Sequence, residues 1–311
     1  MSNRLDRALK AMRAARRPLS YAFGAALLVL LAVVAYRNWQ ELPAGFLSSI
    51  DLPPAAAALG MVFVSYYFVS LEWHLTLRAL GARLPWRVTA RVWFLSLAMR
   101  YLPGGIWTYV GRAYMSGQRQ MNRGVVVASL VAEAAFRVAS ELIVFTISLW
   151  FWQDLGQWSS WAPALSAICV IGAVALGIIM TSSRSRDVLT RVRWFRESGL
   201  PSLKPAAYCG LLAYYVLAVF LTCFALFWFS RAIYPFSVEQ MPAFIGVLAF
   251  SSTVGFLFPL APNGWGVREG IVVALLGLLG VPPAVGFVIA MGSRIWLFAG
   301  EVLWMGIALL L

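Results

Sequence analysis

Pro259-Leu260-Ala261-Pro262-Asn263-Gly264-Trp265-Gly266-Val267-Arg268-Glu269-Gly270 interrupts an otherwise apolar run with prolines, glycines and an adjacent Arg–Glu pair. An earlier stretch, Tyr101-Leu102-Pro103-Gly104-Gly105-Ile106-Trp107 followed by Arg112, echoes it. Proline and glycine break helices, and backbone freed in this way is tolerated at membrane depth only where it is buried in protein or lines a polar cavity. Two such breaks at corresponding places in two halves point to a transport site.

The rest of the chain sets these breaks in a membrane. Of the 311 residues, 61% are hydrophobic and only 12% are charged, and the mean hydropathy is +0.79. A soluble domain carries roughly twice that charge. The apolar runs are long and do not alternate, which favours a helical bundle over an outer-membrane barrel. The net charge of +13 would suggest nucleic acid in a soluble protein. Here most basic residues fall in loops, so membrane orientation accounts for them and no nucleic-acid partner is expected. Cys169, Cys209 and Cys223 lie in apolar runs and form no CxxC, and neither a metal, a cofactor nor a disulfide framework is indicated.

In chain order, residues 1–18 form a basic segment that reads as cytoplasmic, and 19–311 a single transmembrane domain. No small-residue cleavage motif follows the first apolar run, so it is expected to be a retained helix. Six full spans are predicted: Leu19–Tyr36, Ala55 to about Leu80, Gly124–Trp152, Trp161–Thr181, Pro205–Phe229 and Pro283–Leu311. Two broken elements, re-entrant or paired short helical hairpins, are placed at about 88–119 and 242–279. Their tips are Pro103, Gly104 and Gly105 in the first and Pro262 and Gly266 in the second. Trp39, Trp152, Trp158, Trp161 and Trp194 stand at span ends as interfacial anchors would. Loop basicity puts both termini in the cytoplasm and makes the first hairpin open from the cytoplasm and the second from outside. An inverted repeat follows, with Pro103 to Arg137 spaced by 34 positions and Pro262 to Arg294 by 32.

Charge inside a membrane costs ~2.5–3.5 kcal/mol per residue at mid-bilayer on insertion scales, so each such residue needs a reason. The candidates are Glu72, Arg100, Arg112, Glu133, Arg137, Glu141, Arg268, Glu269, Arg294 and Glu301. Glu133, Arg137 and Glu141 share one helix face, where adjacent members can pair. Two readings stand: a structural ion-pair ladder, or the charge balance of a polar pathway that Glu269 and Glu301 would share. Arg100, Arg112, Arg268 and Arg294, with Asn263 and Gly264 at the second break, are the candidates for binding a headgroup phosphate. A resumed helix start offers N–H groups to an anion, and an arginine adds a two-point clamp. Snorkelling to the interface is the alternative for Arg100 and Arg112. His74, the only histidine, reads as a packing residue. No DxD, HxxE, GxSxG or P-loop pattern is present, so no catalytic residue is assigned and the protein is not expected to be an enzyme.

Leu102-Pro103-Gly104-Gly105, then Gly111-Arg112-Ala113-Tyr114 and a charged span around Arg137, together with Pro262-Asn263-Gly264-Trp265-Gly266-Val267-Arg268-Glu269-Gly270, resemble the signatures of the lysylphosphatidylglycerol synthase transmembrane region, also called the flippase-like family. The resemblance covers about residues 20–311. It departs at Asn263, where the family commonly has Gly, and at Phe136, where an acid often precedes the arginine. The full-length synthases carry a soluble aminoacyl-transfer domain after this region, and the chain ends at Leu311 without one. The resemblance therefore implies translocation of an anionic phospholipid or a polyprenyl-phosphate-linked intermediate between leaflets of a bacterial inner membrane. A membrane-embedded transferase or accessory subunit acting on a lipid phosphate is the alternative. A glycosyltransferase or lipid-modifying enzyme fits as a partner, and a homodimer is compatible with the sequence.

Overall fold

The computed structural model describes residues 33, 36, 37, 40, 45–101, 107–119, 121–152, 162–182, 203–258 and 262–311. The first predicted span, the basic segment before it, the tip residues Pro103, Gly104 and Gly105, and Trp39, Trp158, Trp161 and Trp194 therefore lie outside the described residues, save positions 33 and 36, which are helical.

The described residues form an all-α, multi-pass membrane protein. Its helices are α1 (Leu52–Ala79), α2 (Trp86–Leu97), α3 (Trp107–Gln118), α4 (Arg123–Ser148), α5 (Ala162–Thr181), α6 (Pro205–Arg231), α7 (Met241–Leu257), α8 (Val267–Leu278) and α9 (Pro283–Leu310). Helix starts carry local signals. Proline occupies the first turn of α1, α6, α7 and α9, where its missing N–H costs nothing. Asn122 caps α4, its Oδ1 accepting from the Gly124 and Val125 amides at 2.9 and 3.3 Å.

Lengths sort the helices. α1, α5, α6, α9 and the run Val238–Leu257 are long and apolar enough to cross a membrane. α4, at 26 residues, reaches ~39 Å but carries Glu133, Arg137 and Glu141. The 12-residue helices α2, α3 and α8 reach only ~18 Å each and cannot cross alone. The two broken elements are thus present but unequal. The first joins two short arms, whereas the first arm of the second is long enough to cross by itself. Its composition explains the difference: Met241–Leu257 contains no charge, and the run before the first break contains Arg87, Arg91 and Arg100.

α1 and α6 pack along each other at the centre, α4 and α7 pack together beside them, and α9 closes over α1, α2 and α8. Each hairpin packs arm against arm, and each packs on the helix that follows it. Trp304 of α9 stacks on Phe63 of α1 and Phe94 of α2, with ring centroids 4.8 Å apart in both pairs. Trp152 corrects an expectation: it is buried, and its indole N–H donates to Ser148 Oγ at 3.3 Å, so it packs at the end of α4 and is not an exposed interfacial belt residue. α5 is the most peripheral helix, with Ile168, Val170, Ile171 and Val174 exposed along it.

Two turns beside the breaks meet. A 3₁₀ turn at Ala98–Tyr101 ends the first arm of hairpin one, another at Pro262–Gly264 lies in the break of hairpin two, and the two turns are in contact.

Candidate functional site

The second break is built from three left-handed residues, Asn263 (φ 51°), Gly264 (φ 66°) and Gly266 (φ 82°). Glycine adopts this region freely, and asparagine is among the few other residues that tolerate it, which accounts for Asn263 at a position where glycine would serve. Gly264 must be glycine for a second reason: a Cβ there would stand 2.7 Å from Gly255 Cα in α7. That contact lays the resumed segment directly on α7.

The start of α8 is held from two sides. Glu269 accepts from the Gly266 amide at 2.7 Å and also pairs with Arg294 Nε. Arg294 Nη2 donates to the Asn263 carbonyl at 3.0 Å, and its guanidinium lies 5.2 Å from the Trp265 ring. Of the amides at this helix start, which the sequence reading offers to an anion, that of Gly266 is taken by Glu269. Glu269 takes Arg294 as its ion-pair partner.

In hairpin one, Arg112 is buried. It pairs with Glu133, donates from Nε to Ser96 Oγ at 3.3 Å, and lies between the rings of Trp73 and Trp93 at 5.0 and 5.5 Å. Glu133 also accepts from Trp93 Nε1 at 3.1 Å. The ladder expected along α4 is thereby divided. Glu133 leaves it for Arg112, while Arg137 bridges Glu141 (3.0 Å) and Glu72 of α1 (3.1 Å). Thr253 of α7 donates to the second oxygen of Glu141 at 2.8 Å. Near the contact between the two 3₁₀ turns, Glu301 of α9 accepts from Arg100 (2.5 Å), Tyr66 (2.7 Å) and Tyr101 (2.9 Å). Arg294 and Glu301, on one helix, thus serve different partners.

These groups surround a cavity of about 270 Å³. Arg100, Arg112, Arg137 and Arg268 line it. So do Glu72, Glu133 and Glu141, with Asn263 and Gly264 from the second break. The ten charges noted in the sequence are five arginines and five glutamates. Arg100, Arg112, Arg137 and Arg294 take all five acids. Arg268 is left over: among the described residues no carboxylate lies within ion-pairing distance of it and no hydrogen bond engages it. An arginine without an ion-pair partner in the wall of a polar cavity has the chemistry to accept an anion.

The structure thus brings together the candidate arginines and glutamates from both halves, with Arg294, Glu269 and Glu301 in the shell that holds the breaks. Sequence reasoning missed Tyr66, Tyr101, Thr253 and Gly255. Gly255 had one available signal, being a small residue in the helix immediately before a break. The others are ordinary residues whose role appears only through their partners. His74 lies apart and contacts Thr89 Oγ1 at 3.0 Å, as a packing residue does.

A family model described as the transmembrane region of lysylphosphatidylglycerol synthase matches residues 19–304. No curated protein matches the chain.

Proposed function

Since the chain belongs to the lysylphosphatidylglycerol synthase transmembrane family, we propose that it moves an anionic phospholipid or a polyprenyl-phosphate-linked intermediate between the leaflets of a bacterial inner membrane, without covalent chemistry. One observation carries this reading: the segments flanking the first break and the described part of the second line a charged cavity in which every arginine but Arg268 has an ion-pair partner. The lipid phosphate would take the vacant place beside Arg268, and the cavity as a whole would hold the headgroup while hydrocarbon stays in the bilayer. Arg112 and Arg294 then act as positioning residues, the first tying α3 to α4 and the second fixing the kink at Asn263. In this reading both termini lie on the cytoplasmic side, which the basic loops of the sequence support.

Leaflet exchange of labelled lipid by the purified protein in vesicles tests the reading. Arg268→Lys keeps the charge and loses the planar fork, so exchange should fall about tenfold or more while folded yield is unchanged. Arg268→Ala should also remove co-purified lipid. Wild-type exchange by the Lys variant would overturn the clamp, and chemical conversion of the lipid by the purified protein would favour a transferase instead.

A further inference from the structure

A second cavity, of about 520 Å³, adjoins the charged one. Arg100, Asn263, Arg268 and Leu297 belong to the lining of both, so these residues form the wall between them. The character of the second cavity is different. Trp265, Met291, Ile295, Leu297 and Phe298 give it an extended apolar wall. Its other charged groups are already satisfied: Arg294 is bound to Glu269 and the Asn263 carbonyl, and Glu301 accepts from three donors. Arg268 is therefore the one arginine, among the described residues lining both spaces, that has no ion-pair partner.

The second cavity is also continuous with the outer face of α9. Ile295 and Phe298 are 58% and 48% exposed, and Val302 and Leu303 continue the apolar surface further along the helix. In a multi-pass membrane protein that face meets bilayer hydrocarbon. The geometry points to the second cavity as the subsite for the hydrocarbon chain next to the phosphate, with the lipid held across the Arg100–Arg268 wall, polar headgroup on one side and chain on the other. This rests on the reading of Arg268 given above.

The physical logic is one of registration. Lipid tails are as apolar as Leu or Phe side chains, so moving a chain from bilayer to groove changes the hydrophobic free energy little. The groove therefore adds little affinity. It places the first carbons of the chain beside the wall, so that the attached phosphate arrives at Arg268 and does not slide past it. The occupant is a chain bonded to a phosphate, whether diacylglycerol-linked or polyprenyl-linked.

Photo-crosslinking of the purified full chain in nanodiscs tests this, with two probes: phosphatidic acid carrying a diazirine near the carbonyl end of one acyl chain, and a polyprenyl phosphate carrying one in its first isoprene unit. Crosslinks to the segment 291–298 or to Trp265 are expected from at least one probe, and their loss in Arg268→Ala. Labelling by one probe only identifies the source of the chain. Ile295→Trp, at an exposed position where folding tolerates it, fills the mouth and should slow leaflet exchange by about tenfold. Crosslinks confined to other apolar faces such as Ile168 and Ile171 of α5, or unchanged exchange by Ile295→Trp, would overturn the chain subsite. Loss of exchange in Arg268→Ala alongside either result would leave the headgroup reading standing. Unchanged exchange in Arg268→Ala would remove that reading as well.

Discussion

Gly264 rests its α-carbon against the backbone of Gly255, so closely that a Cβ would come within 2.7–2.9 Å of three Gly255 backbone atoms. Both residues line the charged cavity. Their contact allows α8 to restart beside α7 and sets Arg268 into the cavity wall, where a Cβ on Gly255 would in turn meet Arg268 Cβ at 3.2 Å.

Gly264→Ala should therefore be severe, since the clash is with backbone and φ is +66°. Left-handed strain of about 1–2 kcal/mol adds to overpacking of about 1–3 kcal/mol. Gly270→Ala, in a helix with open space around it, should instead be neutral or stabilising by up to ~1 kcal/mol. Thermal unfolding in detergent followed by size-exclusion yield compares them, and equal melting temperatures would refute the close-approach account.

Arg112 and Glu133 should behave as a structural pair. Arg112→Ala leaves Glu133 buried beside Trp93 without its cation, at a cost of about 3–5 kcal/mol. Arg112→Met with Glu133→Gln should recover most of that loss. A double-mutant cycle on unfolding midpoints measures the coupling, and additive effects would show that the two side chains do not depend on each other.

Arg137 shares two acids, so the acids should be partly redundant. Glu72→Gln or Glu141→Gln alone leaves Arg137 one carboxylate, and each should cost about 1.5–3 kcal/mol, the worth of one hydrogen bond to a charged group. The double variant strands the cation and should exceed the sum of the singles by about 2 kcal/mol. A double variant no worse than additive would mean that Arg137 is stabilised by the cavity itself.

By the distribution of basic residues, the two hairpins are expected to open on opposite sides of the membrane. With the native cysteines replaced by serine, Arg119→Cys and Gln240→Cys should be labelled by an impermeant thiol reagent from opposite sides of the membrane. Labelling of both from one side would remove the inverted repeat.

Much of this architecture was legible in the chain. Pro262, Gly264 and Gly266 announced a break because their backbone chemistry acts locally, whatever surrounds them. The helices from α1 to α9 follow from apolar runs ended by prolines and polar clusters, and their observed limits lie within a few residues of those read from the sequence. The intramembrane charges could also be picked out one by one, since the cost of each is intrinsic to its side chain.

What the sequence left open was the pairing. Glu133 sits four residues from Arg137 and would pair with it on an isolated helix, yet it takes Arg112 of α3, because packing of α1, α2 and α4 sandwiches that guanidinium between Trp73 and Trp93. Glu269 chose Arg294, Arg100 found Glu301 across 201 positions, and Arg268 was left without an acid. Partner choice among ten charges depends on distances between helices far apart in the chain, and only the folded bundle sets those distances. The sequence could name Arg268 as a phosphate-binding candidate, but only the tertiary structure shows that, among these ten charges, it is the one without an ion-pair partner.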